Sequence, residues 1–589
     1  AVNVLEGYID QRKIDEYVLN VGVYPLFNAM TEALKIPFFV DEQCGPFDPR
    51  LLLTPGQLAK AFIINILAGR QPVYKISESF EEQDCEVLFG PGIESKDLTE
   101  ARLGDALDAI ATLDQQKLFS QIALRAMNLH GISTNTVHVD TTNFSVFGDY
   151  EKEDHDGFNA AYTGDPKSGR KDLKAVGLGA AVQENKIPFL FQALSGNDSD
   201  TVWFRNALAE ITSLFNGDLY SRPVLVFDAA ASNKEMFEMA TASKTPCIIR
   251  LSRVFNAVDE SISRAWQGNR WEKVGKISSA KKGSEYKVCA FDFKNVQGWR
   301  LVVIHSTTLE KTKRKNMDRS LPKKRKRIEK QAAVLGKKEF ETRELAEKAA
   351  AAFAQKHITL TTPFTYTVNI NTKVTEKYAR PGRPTADTPK IKVTSYTVEF
   401  VLGDVDEELY DTWLKKESCF VLADNVPSDR FSAKEVLRTY KKQWNIEDVF
   451  RFIKTPLDFG PLWLDTPRRI KSLLFLISLS VLVGSFLLFR LHQTLSGKPQ
   501  GKEDPNAPPR KFTDVTGRRV EKPTFNMVRE HLLRLKIVVY YNRNRGCWIR
   551  KFLKQTRHSW LQTIVDIGFD PAIYLEPYSD KFDLWCYKT

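Results

Sequence analysis

The sequence has 589 residues, a net charge of +12, and 37 Phe, 18 Tyr and 10 Trp side chains. This aromatic content suits large packed cores and excludes an intrinsically disordered protein, and the length predicts roughly three or four domains. The positive charge favours a polyanionic partner, either nucleic acid or an anionic membrane surface. The seven cysteines are scattered without a CxxC pair, which favours reduced, buried thiols in a cytosolic protein and argues against a zinc site.

Residues 1–130 are predicted to be mainly helical. The clearest helix begins at Thr54-Pro55 and ends at Gly69, because Thr is a good N-cap, Pro suits the first turn and Gly commonly ends a helix. Two further helical patterns cover residues 15–34 and 103–129. No helix-turn-helix stands out, so we expect this region to serve DNA binding or dimerisation without assigning residues to either role.

The pattern changes at residue 131, where a strand-rich region begins that continues to residue 252. Strands are predicted at 136–140, 175–182 and 187–194, followed by a helix at 203–215, a strand at 223–228, a helix at 232–243 and a strand at 246–251. The run 223–228 is apolar, as in central strands that are covered on both faces. The first and fourth strands are predicted to end on acids, Asp140 and Asp228.

Residues 253–430 interrupt this region as a mixed β/α insertion. Strands are predicted at 271–274, 286–293, 299–304, 364–370, 395–402 and 419–423, a helix at 340–357, and a loop or arm at 373–390. The segment Lys311–Lys330 holds eleven Lys or Arg and two acids. A solvated helix face explains part of this charge, but the excess favours a basic arm that contacts phosphate. Its densest run is Lys323, Lys324, Arg325, Lys326 and Arg327.

A helix is predicted over Tyr440–Lys454, within a segment at 431–496 that would complete the core. Ser432 and Glu435 form a capping box ahead of it, and Pro456 ends it. At about 100° per residue, one polar stripe carries Tyr440, Gln443, Glu447, Arg451 and Lys454, and an adjacent apolar stripe carries Ile446, Val449, Phe450 and Ile453. Taken alone, the polar stripe is explained by ordinary charge pairs on a solvated helix.

The stretch Leu473–Phe489 has 17 residues without a charge, which lies at the lower edge of a membrane span. Because it is solitary and contains three Ser and a Gly, we expect a buried core helix. Residues 497–589 are predicted to be a polar linker, to about residue 520, and a helical, basic-aromatic tail. That tail suits nucleic acid, and simple packing explains it equally well.

Asp140, Asp228 and Glu447 are the three hard oxygen ligands that a site for two magnesium ions needs. Two ions roughly 4 Å apart activate an attacking hydroxyl and stabilise the leaving oxygen of an in-line displacement. Spacing alone leaves rival carboxylates open, namely Asp149, Asp154, Asp156, Asp424 and Glu435. His138 and His155 lack a partner His or Cys at ligand spacing, so we interpret them as structural.

The Tyr440 helix resembles the Y-x2-R-x3-E-x6-K motif of DDE transposases from bacterial insertion sequences, the insertion-sequence-four superfamily. Tyr440, Glu447 and Lys454 match that motif at its spacing, whereas Gln443 stands where the family has Arg. The segments VHVDTTNFSVFGDY and VLVFDAAASN resemble the two aspartate segments of this group. The resemblance covers roughly residues 130–490, with an insertion between the second Asp and the Glu.

The resemblance implies an α/β, ribonuclease-H-like catalytic core, a mixed sheet flanked by helices, with helical regions at both ends. It implies metal-dependent cleavage at transposon ends and transfer of the freed 3′-hydroxyl into target DNA. Asp140, Asp228 and Glu447 would hold two Mg²⁺ ions, with Mn²⁺ as a substitute, and Tyr440 and Lys454 would contact phosphate. Gln443 keeps hydrogen-bonding capacity, and Arg451 is a hypothetical source of the missing charge.

The partner implied is double-stranded DNA, bound by a homodimer that pairs two transposon ends in the bacterial cytoplasm. No secretory signal is seen at the N-terminus, and no membrane association is expected. Two alternatives stay open. The chain could be a ribonuclease-H-like nuclease without strand transfer, or a DNA-binding relative with an inactive core.

Overall fold

A computed structural model describes residues 16–48, 50–148, 150, 157–162, 172–277, 283–294, 296–378, 389–454, 462–464, 466–497, 510–542 and 547–579. The chain forms two compact units. The first comprises Ala1–Cys247 and Thr439–Thr589, and the second comprises Ile248–Arg438. The predicted insertion, 253–430, lies within the second unit.

The N-terminal region of the first unit is helical, as predicted, apart from the strand β1 (Glu16–Leu19). Its helices are α1 (Tyr24–Ala33), α2 (Ile36–Cys44), α3 (Pro55–Ala68), the short α4 (Ile76–Ser79) and α5 (Cys85–Phe89), α6 (Glu100–Ala111) and α7 (Gln115–Leu129). The predicted start and end of α3 are confirmed: Thr54 caps it, in a capping box with Gln57, and Gly69 ends it at φ +151°.

Two N-terminal predictions are wrong. The helix predicted at 15–34 is the strand β1 followed by α1, and the helix predicted at 103–129 is α6 and α7. The second helix of that pair begins where the Asp114 carboxylate accepts a hydrogen bond from the Lys117 amide at 3.1 Å. Asp at an N-cap starts a new helix although the apolar periodicity continues through the break.

The strand-rich part of the first unit follows the predicted order of elements. It contains β2 (Thr136–Phe147), β3 (Lys174–Gln183), β4 (Pro188–Leu194), α8 (Asp200–Leu214), β5 (Val224–Phe227) and α9 (Lys234–Ala242). The strands lie side by side in the order β4-β3-β2-β5, with β3 antiparallel to both neighbours and β5 parallel to β2. Strand β6 (Cys247–Arg250) then takes the chain into the second unit. Later in the chain, the two-residue strand β13 (Leu462–Trp463) pairs in parallel with the end of β2.

Strand β2 is longer than predicted, and this corrects the position of Asp140. The strand continues to Phe147, paired with β3 as far as Val146 and Lys174, so that Asp140 lies within the strand and does not end it. Five of the seven residues after Asp140 are β-branched or aromatic, namely Thr141, Thr142, Phe144, Val146 and Phe147, which suits a strand. The sequence-based prediction ended the strand at Asp140 because a charged residue follows the alternating pattern of residues 136–139 there.

The apolar stretch Leu473–Phe489 belongs to a helix, α16 (Pro467–Leu495), in the first unit. By length and composition this helix could cross a membrane, but 83% of its most apolar 18 residues are buried inside the protein. It packs against α3, α6, α7 and β4. This environment matches the predicted core helix.

The second unit contains a mainly antiparallel sheet and a separate two-stranded ribbon. Its elements are α10 (Asn256–Gly268), β7 (Glu272–Lys276), β8 (Glu285–Asp292), β9 (Arg300–Ser306), α11 (Thr307–Gly336), α12 (Arg343–His357), β10 (Phe364–Tyr378), β11 (Lys390–Val405), α13 (Glu407–Glu417) and β12 (Cys419–Asp424). The sheet order is β6-β12-β9-β8-β7. Ala332, Ala350, Val398 and Phe400 form part of the core between α11, α12 and the ribbon.

Two predictions for the second unit are corrected. The basic segment Lys311–Lys330 is the middle of the 30-residue helix α11, which continues through Pro322, and is therefore not an arm. The loop or arm predicted at 373–390 begins as paired strand, because Lys373 and Tyr378 lie in β10 opposite β11. The centre of that predicted loop, 379–388, lies outside the described residues.

The tail of the first unit is a small sheet with helices, and the prediction of a wholly helical tail is wrong. It contains β14 (Phe512–Thr513), β15 (Arg519–Val520), α17 (Phe525–Leu532), β16 (Ile537–Asn542), β17 (Cys547–Phe552) and α18 (His558–Ile567). Strand β1 pairs with β16, which pairs with β17. The Arg550 guanidinium contacts the Asp84 carboxylate at 2.5 and 3.0 Å, which joins this hairpin to the helical region. The exposed Cys547 departs from the expectation of buried thiols.

Candidate active site

Strand register brings the two predicted aspartates together in the first unit. The parallel strands β2 and β5 pair as far as His138 with Val226, and Asp140 and Asp228 each lie two residues further along. Residues at the same level of adjacent strands are about 4.8 Å apart in the hydrogen-bonding direction. Continued by two residues, this register puts Asp140 at the level of Asp228, which directly follows β5.

Backbone hydrogen bonds hold both carboxylates. The Asp140 Oδ1 atom accepts from the Thr141 amide at 2.8 Å, and the Asp228 Oδ1 atom accepts from the Ala230 amide at 2.9 Å. Asp228 thereby caps the turn of 3₁₀ helix Ala229–Ala231. Both side chains are half-buried, so they remain within reach of solvent and of a ligand.

The opposite face of β2 is occupied by α8. The Thr141 hydroxyl donates to the Asp200 carboxylate at 2.7 Å. On β3, a Cβ atom at Gly179 would come within 2.4 Å of the Trp203 ring, so this close packing requires glycine. Because successive side chains alternate across a strand, α8 covers the face that Asp140 does not occupy.

The predicted helix over Tyr440–Lys454 is two helices, α14 (Ala433–Lys441) and α15 (Trp444–Lys454), joined by a turn at residues 442–443. Amides within this turn donate three residues back, as from Gln443 to the Tyr440 carbonyl at 3.0 Å. The residues of the turn are good helix formers, so their composition did not reveal the break. Pro456, predicted to end the helix, lies outside the described residues.

The capping box ahead of α14 is confirmed. The Ser432 amide donates to Glu435 Oε2 at 2.8 Å, and the Glu435 amide donates to the Ser432 hydroxyl at 3.4 Å. The apolar stripe on α15 is also confirmed, since Ile446, Val449, Phe450 and Ile453 are buried.

Helix α15 lies on β2 and β3, on the face that carries Asp140. At its start, the Asn445 side chain donates to the Glu184 carbonyl, just beyond β3, at 3.1 Å. At its end, the Lys454 ammonium lies 5.9 Å from the centroid of the Phe144 ring, on β2. Glu447 is carried between these two fixed points with its side chain exposed.

The other members of the polar stripe have different environments. Tyr440 is buried, and Gln443 is half-buried in the turn, where its carbonyl accepts from the Ile446 amide at 3.1 Å. Arg451 is exposed and pairs with Asp448 at 2.8 Å. The described structure thus gives Gln443 a backbone role at the start of α15, and any contact of these side chains with phosphate stays a prediction.

Sequence reasoning missed Lys186, which pairs with Asp448 at 2.6 Å and lies 5.5 Å from the Trp444 ring centroid. Asp448 therefore receives two cations, Lys186 and Arg451. Lys186 comes from the turn between β3 and β4, and no local pattern in the sequence connects that turn to α15.

The described rival carboxylates have structural roles. Asp424 is fully buried and accepts from the Arg300 guanidinium at 2.9 and 3.0 Å, and Glu435 belongs to the capping box. Burial raises the pKa of Asp424 to about 6, against the lowering effect of Arg300. The other rivals, Asp149, Asp154 and Asp156, lie outside the described residues, as does His155.

His138 is fully buried two residues before Asp140, consistent with a structural role. Burial lowers the pKa of His138 to about 3, with a smaller effect of Lys442 in the same direction, so its ring is neutral at pH 7.

Asp140 and Asp228 fit a divalent cation by chemistry and by position. Carboxylate oxygens are the ligands that Mg²⁺ prefers, and adjacent strands present these two at the same level. Among the described residues, however, no three His, Cys, Asp or Glu side chains are gathered closely enough to hold a metal ion. Helix α15 thus brings Glu447 to this part of the sheet. The carboxylate of Glu447 does not form one ligand group with those of Asp140 and Asp228 in the described structure.

The five basic residues predicted to contact DNA separate into two groups on α11. Lys324 donates to the Thr361 carbonyl at 2.7 Å, and Arg325 donates to the Gly403 carbonyl at 2.5 Å. Arg325 also lies 4.9 Å from the centroid of the Phe364 ring. Lys323, Lys326 and Arg327 are exposed. Lys324 therefore holds the helix to the segment just before β10 and Arg325 holds it to β11, whereas the other three residues face solvent.

The fold and the two adjoining aspartates can be compared with known proteins. A family model described as a transposase DDE domain matches residues 134–483, more than half of the 589-residue chain. The chain belongs to this family. The match includes Asp140, Asp228 and Glu447, and the protein is accordingly a transposase of the DDE type.

The N-terminal helical region of this transposase matches a different model, described as a domain of unknown function (DUF4277), over residues 17–124. No curated protein matches the chain. One solved structure with similarity is a cryo-EM structure of a piggyBac transposase synaptic complex with hairpin DNA. It has 7% identity and a TM-score of 0.36, with 82% of this chain and 77% of that chain covered. A TM-score of 0.36 is too low to support an inference about this transposase.

Proposed function

We propose that this transposase cuts DNA at the ends of a mobile element and joins the freed 3′-hydroxyl to target DNA. The observation that carries the proposal is the strand register that puts Asp140, on β2, at the level of Asp228, which directly follows the adjacent parallel strand β5, in a chain of the DDE family. The order β4-β3-β2-β5, with only β3 antiparallel among these strands, supports a ribonuclease-H-like core. The second unit would be the insertion in that core.

In this proposal Asp140, Asp228 and Glu447 hold two Mg²⁺ ions, for which Mn²⁺ can substitute. When bound, such ions activate the attacking oxygen and stabilise the leaving oxygen. The remaining residues position DNA. Lys454 and Tyr440 would orient the phosphate next to the scissile bond, and Arg451 would supply the positive charge that Gln443 lacks. Since Arg451 pairs with Asp448 in the described structure, DNA would compete for it.

The exposed face of α11 would contact the DNA backbone. Lys311, Lys315, Arg319, Lys323, Lys326, Arg327 and Lys330 are all exposed and fall on one side of this helix. At about 1.5 Å per residue, the stripe from Lys311 to Lys330 extends roughly 28 Å, close to one turn of duplex DNA. Such a surface suits contact with consecutive phosphates irrespective of sequence.

We further propose that the chain derives from a bacterial insertion sequence of the insertion-sequence-four superfamily. It would act in the cytoplasm as a homodimer, because two element ends must be paired before they are joined. Size measurement of the protein with and without end DNA would test the dimer.

The central test uses a supercoiled plasmid that carries this protein's gene together with its flanking DNA, incubated with Mg²⁺. The wild type should cut at the element ends and give joined products. Asp228→Ala should abolish cutting and leave DNA binding largely intact, whereas Glu238→Ala, an exposed acid on α9, should behave as wild type. Cutting by Asp228→Ala would refute the site, and cutting without joined product would indicate a nuclease.

A further inference from the structure

His138 is a fully buried histidine whose ring nitrogens both lack a hydrogen-bond partner among the described residues. Burial lowers the pKa of His138, so its ring is neutral, with one nitrogen that can donate a hydrogen bond and one that can accept. Because leaving a buried polar group unpaired destabilises the folded state, an apolar side chain would serve a purely structural purpose better. The unpaired ring therefore calls for a partner that is absent from the described structure.

The strand register places His138 next to the candidate site. His138 on β2 is opposite Val226 on β5, and Asp140 and Asp228 each follow two residues later. His138 and Asp140 are on the same face of the sheet, because side chains two residues apart in a strand point the same way. The two residues are separated by roughly 7 Å along the strand, so the ring is close to the carboxylates.

Helix α15 carries Glu447 along the flank that faces β5. Its Asn445 side is fixed to the end of β3, because the Asn445 side chain donates to the Glu184 carbonyl at 3.1 Å. At about 100° per residue, Glu447 projects about 200° around the helix from Asn445. Since β2 lies between β3 and β5, the Glu447 flank is directed toward β5. Lys442, just before this helix, also lowers the pKa of His138, so the start of α15 is near the ring.

We propose that His138 is a positioning residue for Glu447, and that its ring N–H donates to the Glu447 carboxylate when this carboxylate joins Asp140 and Asp228 around a divalent cation. The inference rests on the proposed function and adds to it a residue that is not itself a ligand. In the described structure the Glu447 side chain is exposed and the ring has no partner, so the contact would satisfy the ring and orient the carboxylate. Loss of a residue that orients a metal ligand typically weakens metal binding or activity by about 10- to 100-fold.

The test measures the affinity of the full-length protein for Mn²⁺, without DNA, from the electron paramagnetic resonance signal of the free ion. Wild type should bind Mn²⁺ at a site that Asp228→Ala removes. His138→Leu should weaken this binding by roughly 10- to 100-fold. Its unfolding temperature should not fall, because leucine fills the space and removes the two unpaired nitrogens. His138→Gln should keep part of the affinity, since its amide can donate a hydrogen bond.

The matched control is Thr142→Val. Thr142 is also buried on this face of β2, two residues from Asp140 in the direction away from His138, and its replacement should leave the Mn²⁺ affinity unchanged. Glu447→Ala tests the partner of the ring. In that background His138→Leu should cause no further loss of affinity, because the two residues act through one contact.

Unchanged Mn²⁺ affinity in His138→Leu would overturn the proposal and would indicate that a buried water satisfies the ring. A lower unfolding temperature of His138→Leu would also overturn it, because the fold itself would then need the ring. A further loss in the Glu447→Ala background would do the same, since His138 would then act on another ligand. Mn²⁺ binding that is absent from wild type, or that survives Asp228→Ala, would instead refute the carboxylate site of the proposed function, so the two failures are distinguishable.

Discussion

The carboxylates of the first unit and the basic helix of the second are both charged clusters predicted from sequence, but they are built differently. Asp140 and Asp228 are 88 residues apart in the chain and are brought together by the register of parallel strands. The basic residues of α11 are neighbours in sequence, but the helix directs their side chains to different faces. Lys324 and Arg325 face the ribbon, whereas Lys323, Lys326 and Arg327 face solvent.

This difference shows that local charge density is a poor guide to a binding residue, whereas the position of an isolated acid in the fold can be a good one. Asp424 gives the converse case, because this isolated acid is also at a strand end but is neutralised by Arg300. The environment of each charged group therefore decides between structure and chemistry. This distinction is tested by substitutions that change either the free energy of unfolding or the binding and cleavage of DNA, but not both.

The largest expected effect is on stability in the second unit. Asp424→Ala leaves Arg300 without its buried carboxylate, and breaking a buried ion pair typically costs about 3–5 kcal/mol. We expect the free energy of unfolding in urea to fall by roughly that amount. Asp411→Ala removes an exposed acid from α13 of the same unit and should change it by less than about 0.5 kcal/mol. Equal stability of both variants would mean that Arg300 has another anion.

The second-largest effect should be on DNA cleavage, with little change in folding. Asp140→Asn keeps an oxygen that can accept from the Thr141 amide, so folding should be nearly unchanged. It removes the negative charge of a predicted metal ligand, and we expect cleavage to fall by about 10²-fold or more, as for loss of other groups that stabilise a charged transition state. Plasmid cleavage at matched DNA occupancy measures this. Cleavage at the wild-type rate by a folded Asp140→Asn protein would contradict the assignment.

Much of the first unit could be predicted because its strands and helices follow simple periodicity. The succession from β2 to β6 agrees with the sequence, since each of these strands contains a mostly apolar run that the sequence pattern identifies. The length of β2 could not be predicted, because Thr141 and Thr142 suit a turn as well as a strand. The ribbon strands β10 and β11 are also longer than predicted, since their distal halves are polar and exposed, and only pairing identifies them.

The sequence predicted which residues form the candidate site, but it did not predict how they are arranged. The spacing of Tyr440, Glu447 and Lys454 suggested one helix with one polar face. The structure instead has a turn at residues 442–443 and a buried Tyr440. The contact of Lys186 with Asp448 joins segments that are 262 residues apart, and a single sequence carries no signal for it.

The third prediction compares the two groups of basic residues on α11. Replacing Lys323, Lys326 and Arg327 together by Ala should weaken DNA binding and reduce the slope of log affinity against log salt by about 2–3, because each phosphate contact contributes roughly 0.9. Stability should change little, since all three are exposed. Binding titrations with duplex DNA at several salt concentrations between about 50 and 200 mM give this slope, because protein–DNA affinity falls strongly over that range.

The matched control replaces Lys324 and Arg325 by Ala. These residues donate to the carbonyls of Thr361 and Gly403, so the free energy of unfolding should fall by roughly 1–3 kcal/mol. The salt slope of the folded protein should stay close to that of wild type. If the control reduces the slope as much as the triple variant, the division of α11 into two faces is wrong.

The smallest expected effect concerns the start of α14, the helix that leads into the segment with Glu447. Ser432→Ala removes the hydroxyl that accepts from the Glu435 amide at 3.4 Å, and loss of an N-cap typically costs about 1 kcal/mol. Because Glu435 is a cap partner and not a ligand in this structure, DNA cleavage should remain at the wild-type level at temperatures where the variant is folded. Thermal unfolding followed by circular dichroism, together with the plasmid assay, checks both parts. A large loss of cleavage in a stable Ser432→Ala protein would return Glu435 to the set of candidate metal ligands.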